Sequence, residues 1–194
     1  MARNLLMTFF CIAFALIVVW ENAEAKNKKM KEANVVTMTT SKGKMVIELY
    51  PKDAPKTVEN FKKLVGQGFY NGIIFHRVVP GFVIQAGDPH AKGVAGKDFV
   101  YQFDPSKPNL PIAGTGGPGY NIKAEFNPRK HLKGTVAMAR SQHPDSAGSQ
   151  FYVCLAPQPG LDGQYTVFGQ VIEGMDVIDK IQQGDKITDM KLGK

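Results

Sequence analysis

The sequence predicts a mainly β fold, a closed eight-stranded antiparallel barrel capped by two α-helices. Three observations lead there. Short alternating segments far outnumber helical ones. Turn residues separate them at close intervals, in a chain with 20 Gly and 12 Pro among 194 residues. No strand–helix–strand alternation of the kind that builds a parallel sheet is present.

The elements follow in order. Val35–Thr39 and Lys44–Tyr50 read as two strands joined by the Ser41-Lys42-Gly43 turn. In the second, Met45, Ile47 and Leu49 alternate with Val46, Glu48 and Tyr50, the period of a strand with one face on a core. Pro55 opens a helix at its first turn, where its missing N–H costs nothing. Val58, Phe61, Leu64 and Val65 share one face of it, and Gly66 and Gly68 end it. Further strands are expected at Ile73–Val79, Phe82–Ala86, Gly134–Arg140, Gln150–Leu155, Thr166–Val171 and Lys186–Met190. A second helix is expected from about Met175 to Gln183, with Met175, Ile178 and Ile181 on one stripe and Gly184 as its stop. Pro89 to Tyr120 reads as a long Gly/Pro-rich loop, a length that compact domains keep mostly for function. Within it Phe99, Tyr101 and Phe103 alternate, and Asp104–Pro108 reads as a turn.

The ends carry a different message. Arg3, the apolar run Leu5–Trp20 and the small-x-small site Ala23-Glu24-Ala25 have the order of a secretory signal peptide spanning residues 1–25. The alternative is a retained anchor, but the run is short against the roughly 20 residues of a membrane span. Cleavage leaves a Lys-rich, flexible tail at residues 26–33 and a domain at 34–194 with no stable membrane anchor. The expected location is extracytoplasmic, periplasmic or secreted. Of the two Cys, only Cys154 then remains, inside an apolar strand, so it reads as a buried thiol rather than half of a disulfide. Lys plus Arg number 24 against 17 acids. That excess permits loose contact with anionic surfaces but defines no nucleic-acid site.

Several motifs mislead. Gly114–Gly119 matches G-x-G-x-x-G, yet no strand precedes it, Pro118 interrupts it and no helical pattern follows, so it reads as a tight turn rather than a dinucleotide site. His76, His90, His131 and His143 have no paired ligand spacing, so no metal is expected. His143, Asp145, Ser146 and Ser149 are the residue types of a hydrolytic triad, but triads are made by geometry rather than by local clustering. No cofactor motif is visible.

The informative segments are Phe75–Asp88 and Gly134–Gly169. Arg77 and Gln85 stand among Phe, Val and Ile, either as surface residues on a barrel exterior or as the guanidinium and amide of a half-apolar groove. Gln150 and Tyr152 share one face of their strand, and Phe151 and Val153 take the other.

These residues closely resemble the cyclophilin family of peptidyl-prolyl isomerases. The family's Phe-His-Arg…Pro-Gly-Phe…Gln-x-Gly-Asp signature stands at Phe75–Asp88, its Met-Ala-x segment at Met138–Arg140 and its Gly-Ser-Gln-Phe-aromatic strand at Gly148–Tyr152. Its Leu-Asp-Gly…Val-Phe-Gly segment stands at Leu161–Gly163 and Val167–Gly169. The resemblance implies an eight-stranded barrel with two helices and rotation of X–Pro bonds in proline-containing peptides and in folding exported proteins. It implies Arg77 as catalytic, Gln85 as the anchor of the substrate backbone and His76 as a supporting residue beside the arginine. Phe82, Val83, Tyr152 and Leu161 match the proline pocket, Tyr165 its rim, and Ala139, Arg140 and Gln150 the segments that meet the peptide. Ala-Arg followed by Ser-Ala-Gly-Ser-Gln is the bacterial form of the pattern. A binding module of the same fold, with incidental isomerase activity, is the alternative.

The departures from the family pattern carry expectations of their own. Gly160 stands where a Trp that contacts cyclosporin is common, which implies weak cyclosporin binding. Tyr165 replaces a rim His. Tyr152 replaces a Phe and adds a hydroxyl at the pocket floor. The segment from about Ala91 to Ile112 looks like an insertion, either an extension of the substrate surface or a tolerated loop.

Overall fold

The computed structural model describes residues 34–92 and 112–193. The leader at 1–25, the basic tail at 26–33, the Phe99-Tyr101-Phe103 alternation and the 104–108 turn lie outside the described residues, as does all but the ends of the 91–112 insertion.

Eight strands form one antiparallel sheet: β1 (Val35–Thr40), β2 (Gly43–Leu49), β3 (Arg77–Val79), β4 (Val83–Ala86), β5 (Thr135–Met138), β6 (Phe151–Cys154), β7 (Val167–Glu173) and β8 (Ile187–Leu192). Their order across the sheet is β3-β4-β6-β5-β7-β2-β1-β8. Helix α1 (Pro55–Gly66) follows β2, and the single turn α2 (Met175–Ile178) follows β7.

The barrel is not closed by a ladder. β3 and β8 are the two edges, and the seam between them is irregular. Gly72 N–H donates to Ile187 C=O at 2.7 Å, Ile187 N–H to Ile73 C=O at 2.8 Å, and Phe75 N–H to Asp185 C=O at 2.8 Å. The sheet is therefore curled, with a few backbone bonds across its open side. This also explains why the expected strand Ile73–Val79 shrinks to Arg77–Val79. Ile73 bridges to Lys92 while Ile74 bridges to Lys186, so the segment has two short partners instead of one continuous strand.

The second helix is likewise shorter than the Met175–Gln183 span its spacing predicts. Gln182 N–H is taken by the Asp185 carboxylate at 2.7 Å rather than by a carbonyl one helical turn back. The apolar stripe survives the early stop, since Ile178 and Ile181 are both buried.

Helix α1 has no side-chain cap of its own at Ala54. Glu125 supplies one from a distant loop. Its carboxylate accepts the Lys56 and Thr57 N–H groups at 3.1 and 2.8 Å and the Thr57 hydroxyl at 2.8 Å. An anion there satisfies otherwise unpaired N–H groups and meets the positive end of the helix dipole. As the periodicity predicts, Val58, Phe61, Leu64 and Val65 all face the core. The Phe61 ring lies 4.9 Å from Phe168, 5.2 Å from Tyr70 and 5.6 Å from Phe151, centroid to centroid.

Alternation splits the strands between two clusters. Ile84, Val136, Phe151 and Val153 enter the main core with α1. Val83, Ala137, Tyr152 and Cys154 take the opposite face, with Phe82, Leu161 and Tyr165 packed against them. Cys154 is fully buried, and burial pushes its thiol up to about 12.

Phe61→Ala removes the ring that joins α1 to three aromatic partners. The variant is expected to lose about 3–5 kcal/mol, read as a lower urea midpoint; an unchanged midpoint would show that the helix is held by other contacts.

Candidate active site

Backbone register builds the site. Arg77 pairs with Gln85, Gln85 with Tyr152 and Tyr152 with Ala137, so one residue from each of β3, β4, β6 and β5 falls in a row on the same face. This face is the one turned away from the main core. The two readings of Arg77 and Gln85 therefore merge: they are on the outside of the barrel and in a groove.

The groove contains two adjoining cavities. The smaller, about 270 Å³, has Tyr152, Val83, Phe82 and Leu161 as apolar lining, with Arg77 and Gln85 along one side and Ala139, Arg140 and Tyr165 along the other. The larger, about 740 Å³, shares Gln85, Ala139 and Arg140 with it and continues over Gln150 and the Gly114–Asn121 loop.

Arg77 is exposed. Its guanidinium sits 5.4 Å from the Phe82 ring centroid, and Nη1 donates one long bond of 3.5 Å to Gln85 Oε1. Gln85 is aimed by its neighbours. Its Nε2 donates to Gln150 Oε1 at 3.0 Å, and Gln150 Nε2 donates to Gly116 C=O at 2.8 Å. Gln150 thus orients Gln85 from the adjoining cavity rather than lining the smaller one.

Arg140 lies just past the end of β5. Nε donates to Gln164 C=O at 3.1 Å, and Nη1 donates to the carbonyls of Ser141 and Gln142 at 3.0 and 3.1 Å. Its guanidinium stands 4.6 Å from the Tyr165 ring centroid.

A chain of hydrogen bonds supports the pocket floor. His131 Nδ1 lies 3.0 Å from Asp162 Oδ1, and His131 Nε2 lies 3.0 Å from the Tyr152 hydroxyl. An ionised carboxylate only accepts, so Nδ1 carries the proton toward Asp162, and Nε2 shares a hydrogen bond with the Tyr152 hydroxyl. His131 N–H donates to the same carboxylate at 2.9 Å. These donations, with Lys130, hold the Asp162 carboxyl at about 2. Burial pushes the Tyr152 phenol far above its ordinary value. The hydroxyl that distinguishes Tyr152 from Phe is thus turned away from the cavity, and the ring remains an apolar floor. Sequence spacing does not reveal this chain, because its members lie on three separate segments.

The structure does not bring His76 into the groove. It precedes Arg77 in an extended segment and points to the other side of the sheet, where it is 4% exposed. Neither ring nitrogen has a hydrogen-bond partner among the described residues. Gly160 leaves the rim open, with no atom of the described residues within 4 Å of where a Cβ would stand.

The misleading motifs resolve into scaffolding. At Gly116 a Cβ would collide with the Asp88 carboxylate and the His90 ring. Asp88 is fully buried and accepts the backbone N–H groups of His90 and Gly114, so it ties the glycine loop to the end of β4. His143 accepts the Asp145 N–H at 3.1 Å, and Ser146 donates to His143 C=O at 2.6 Å, a local turn rather than a triad. Among the described residues, no cluster of three metal-ligating side chains occurs.

A fold and a groove of this kind define a class, and comparison with known proteins agrees. The profile of the family described as "Cyclophilin type peptidyl-prolyl cis-trans isomerase/CLD" matches residues 35–192. A peptidyl-prolyl cis-trans isomerase of Helicobacter pylori is 42% identical over 168 residues, covering 84% of this chain and 90% of the relative. Peptidyl-prolyl cis-trans isomerase B of Bacillus subtilis is 42% identical over 151 residues, covering 77% and 90%. The cyclophilin type isomerase of Cryptosporidium parvum, solved in the presence of the dipeptide Ala-Pro, superimposes with a TM-score of 0.68 at 27% identity, covering 82% of this chain and 99% of that one. The chain belongs to the cyclophilin-type peptidyl-prolyl cis-trans isomerases, and it is an enzyme of that activity.

His76 also sets a pH dependence. Burial lowers its pKa below the ordinary 6.5; the Asp88 charge opposes that shift and Arg77 adds to it. Below 6.5 the unfolded chain therefore binds a proton that the folded chain refuses, so stability is full above that pH and falls as pH drops toward the folded value. Urea midpoints from about pH 7.5 to about 5 should fall more steeply for the native chain than for His76→Leu. Parallel curves would show that another group governs the acid limb.

Proposed function

We propose that the smaller cavity holds the substrate's pyrrolidine ring while Arg77 stabilises the twisted state of the X–Pro bond, and that the enzyme serves the folding of exported proteins. The observation that carries the first part is the row Arg77–Gln85–Tyr152, which sets one charged donor and one amide at the edge of an apolar hollow.

The chemistry suits these residue types. Resonance holds the C–N bond planar behind a barrier of about 18–20 kcal/mol. At the perpendicular geometry the prolyl nitrogen pyramidalises and gains a lone pair. A donor aimed at that lone pair binds the transition state better than either planar isomer, and only such differential binding raises the rate. Arg77 stays charged and offers five donors, of which the described residues engage one, weakly. Gln85, held by Gln150, grips backbone groups on the same side without reading sequence. A five-decade acceleration asks for about 7 kcal/mol, which a charged donor and fixation of both ends of the bond can share. Every step uses this chain's own side chains, and none calls for a nucleophile.

The exported location rests on residues 1–25. The open rim at Gly160 supports weak cyclosporin binding, read as poor inhibition in the peptide assay described next.

Isomerisation of a short X–Pro peptide by residues 26–194 tests the site. Arg77→Ala is expected to lower kcat/KM by at least about a hundredfold while peptide affinity changes little. Full activity in the variant would remove Arg77 from the mechanism. A folding client bound equally well with no wild-type catalysis would favour the binding-module reading. N-terminal sequencing of the protein recovered from an expressing bacterium is expected to begin at Lys26, and a start at Met1 would count against export by cleavage.

A further inference from the structure

The two cavities of the groove differ in shape but share one electrostatic property: among the described residues, no carboxylate lines either of them. Three acids near the groove are each held by partners of their own. Asp162 is engaged by His131 and Lys130, Asp88 is fully buried against backbone N–H groups, and Asp145 accepts the Ala124 N–H at 2.8 Å. Against them stand two guanidiniums. Among the described residues, neither Arg77 nor Arg140 has a carboxylate within 4.0 Å.

Arg140 occupies the position where this matters most, because it lines both cavities. A peptide with its proline in the smaller cavity and its adjoining residues in the larger one must pass the Arg140 guanidinium. That group is already ordered. Three carbonyls hold Nε and Nη1, and the Tyr165 ring backs its face. Nη2 makes no hydrogen bond among the described residues. With Nε and Nη1 engaged, Nη2 is the donor left to meet a carboxylate, and a group already ordered loses little entropy on pairing.

We propose that Arg140 makes this enzyme selective for prolyl bonds flanked by an acidic residue, Glu or Asp, on the side of the peptide that runs into the larger cavity. The inference rests on the smaller cavity being the proline site. It assigns to the Arg140 side chain a recognition role beyond that of the backbone around it. On the proposed reading Gln85 holds main chain, so the glutamine network does not read sequence. Arg140 adds the reading of charge.

The test measures cis–trans exchange by NMR in acetylated, amidated peptides that carry Glu, Gln or Lys immediately before the proline, and in a second set with the change one residue further out. With the native chain, the Glu peptide at one of these two positions is expected to exceed the Gln peptide by about three- to tenfold in kcat/KM, with Lys lowest, tenfold being about 1.4 kcal/mol. The ratio should shrink as salt is raised, as screening requires of a partly exposed pair. Arg140→Lys should keep the order and Arg140→Glu should reverse it. A merely structural role for Arg140 would instead change all peptides in proportion. Equal rates for Glu and Gln at both positions, in a chain that turns both over, would overturn the proposal and leave the proline site intact. So would a ratio that salt does not move or that Arg140→Glu does not invert. Failure to catalyse any of the peptides would instead count against the proline-site reading.

Discussion

The antiparallel register of β3, β4, β6 and β5 is the constraint on which the rest of the molecule depends. It places Arg77, Gln85, Tyr152 and Ala137 side by side. Because successive side chains alternate, it also sends Ile84, Phe151 and Val153 into the core beneath them. A slip of one residue would exchange the two sets, burying a guanidinium and exposing the aromatic ring that packs on Phe61. Stability and function are therefore coupled through one register. The core that holds α1 on the sheet also keeps the groove residues in line.

Around this row, the loops are tied down by polar groups that each make several bonds. Asp88 anchors the glycine loop at Gly114, and Gln150 reaches the same loop at Gly116 while orienting Gln85. Gly87 completes the arrangement. It has φ +95°, and a Cβ there would meet the Ser149 carbonyl. A side chain at Gly87 would press β4 away from the segment that carries Gln150. The wall of the larger cavity is thus held by the strands that form the smaller one, so both cavities keep a common geometry.

Beneath the groove, the Asp162–His131–Tyr152 chain solves a problem created by putting a tyrosine in an apolar floor. A buried hydroxyl without a partner costs about 1–3 kcal/mol. Here the cost is avoided by a histidine whose tautomer a carboxylate sets. His76 shows the opposite case: a buried ring with no hydrogen-bond partner among the described residues, whose burial disfavours the charged form.

Much of the fold was legible in the sequence because it rests on local physics. The two-residue period marked the strands to within a few residues, and Pro55, the apolar stripe and Gly66 marked α1. The blocks at Phe75–Asp88 and Gly148–Tyr152 carried the groove residues that line the cavities. What local pattern could not decide were matters of partnership. The barrel's seam became a few irregular bonds because Ile73 and Ile74 form single bridges to Lys92 and Lys186 rather than a ladder. The second helix ended at Ile178, where Lys180 N–H turns back to Val177 C=O and Gln182 N–H goes to the Asp185 carboxylate. His76 left the groove and His131 entered its support because orientation depends on which face of the sheet a neighbour occupies. The alternation that puts Arg77 and Gln85 on one face of their strands was determined by sequence alone. Which residues meet, and which charges are left without a partner, only the tertiary structure decided, because hydrogen bonds and ion pairs between distant segments form only when the strands are in register.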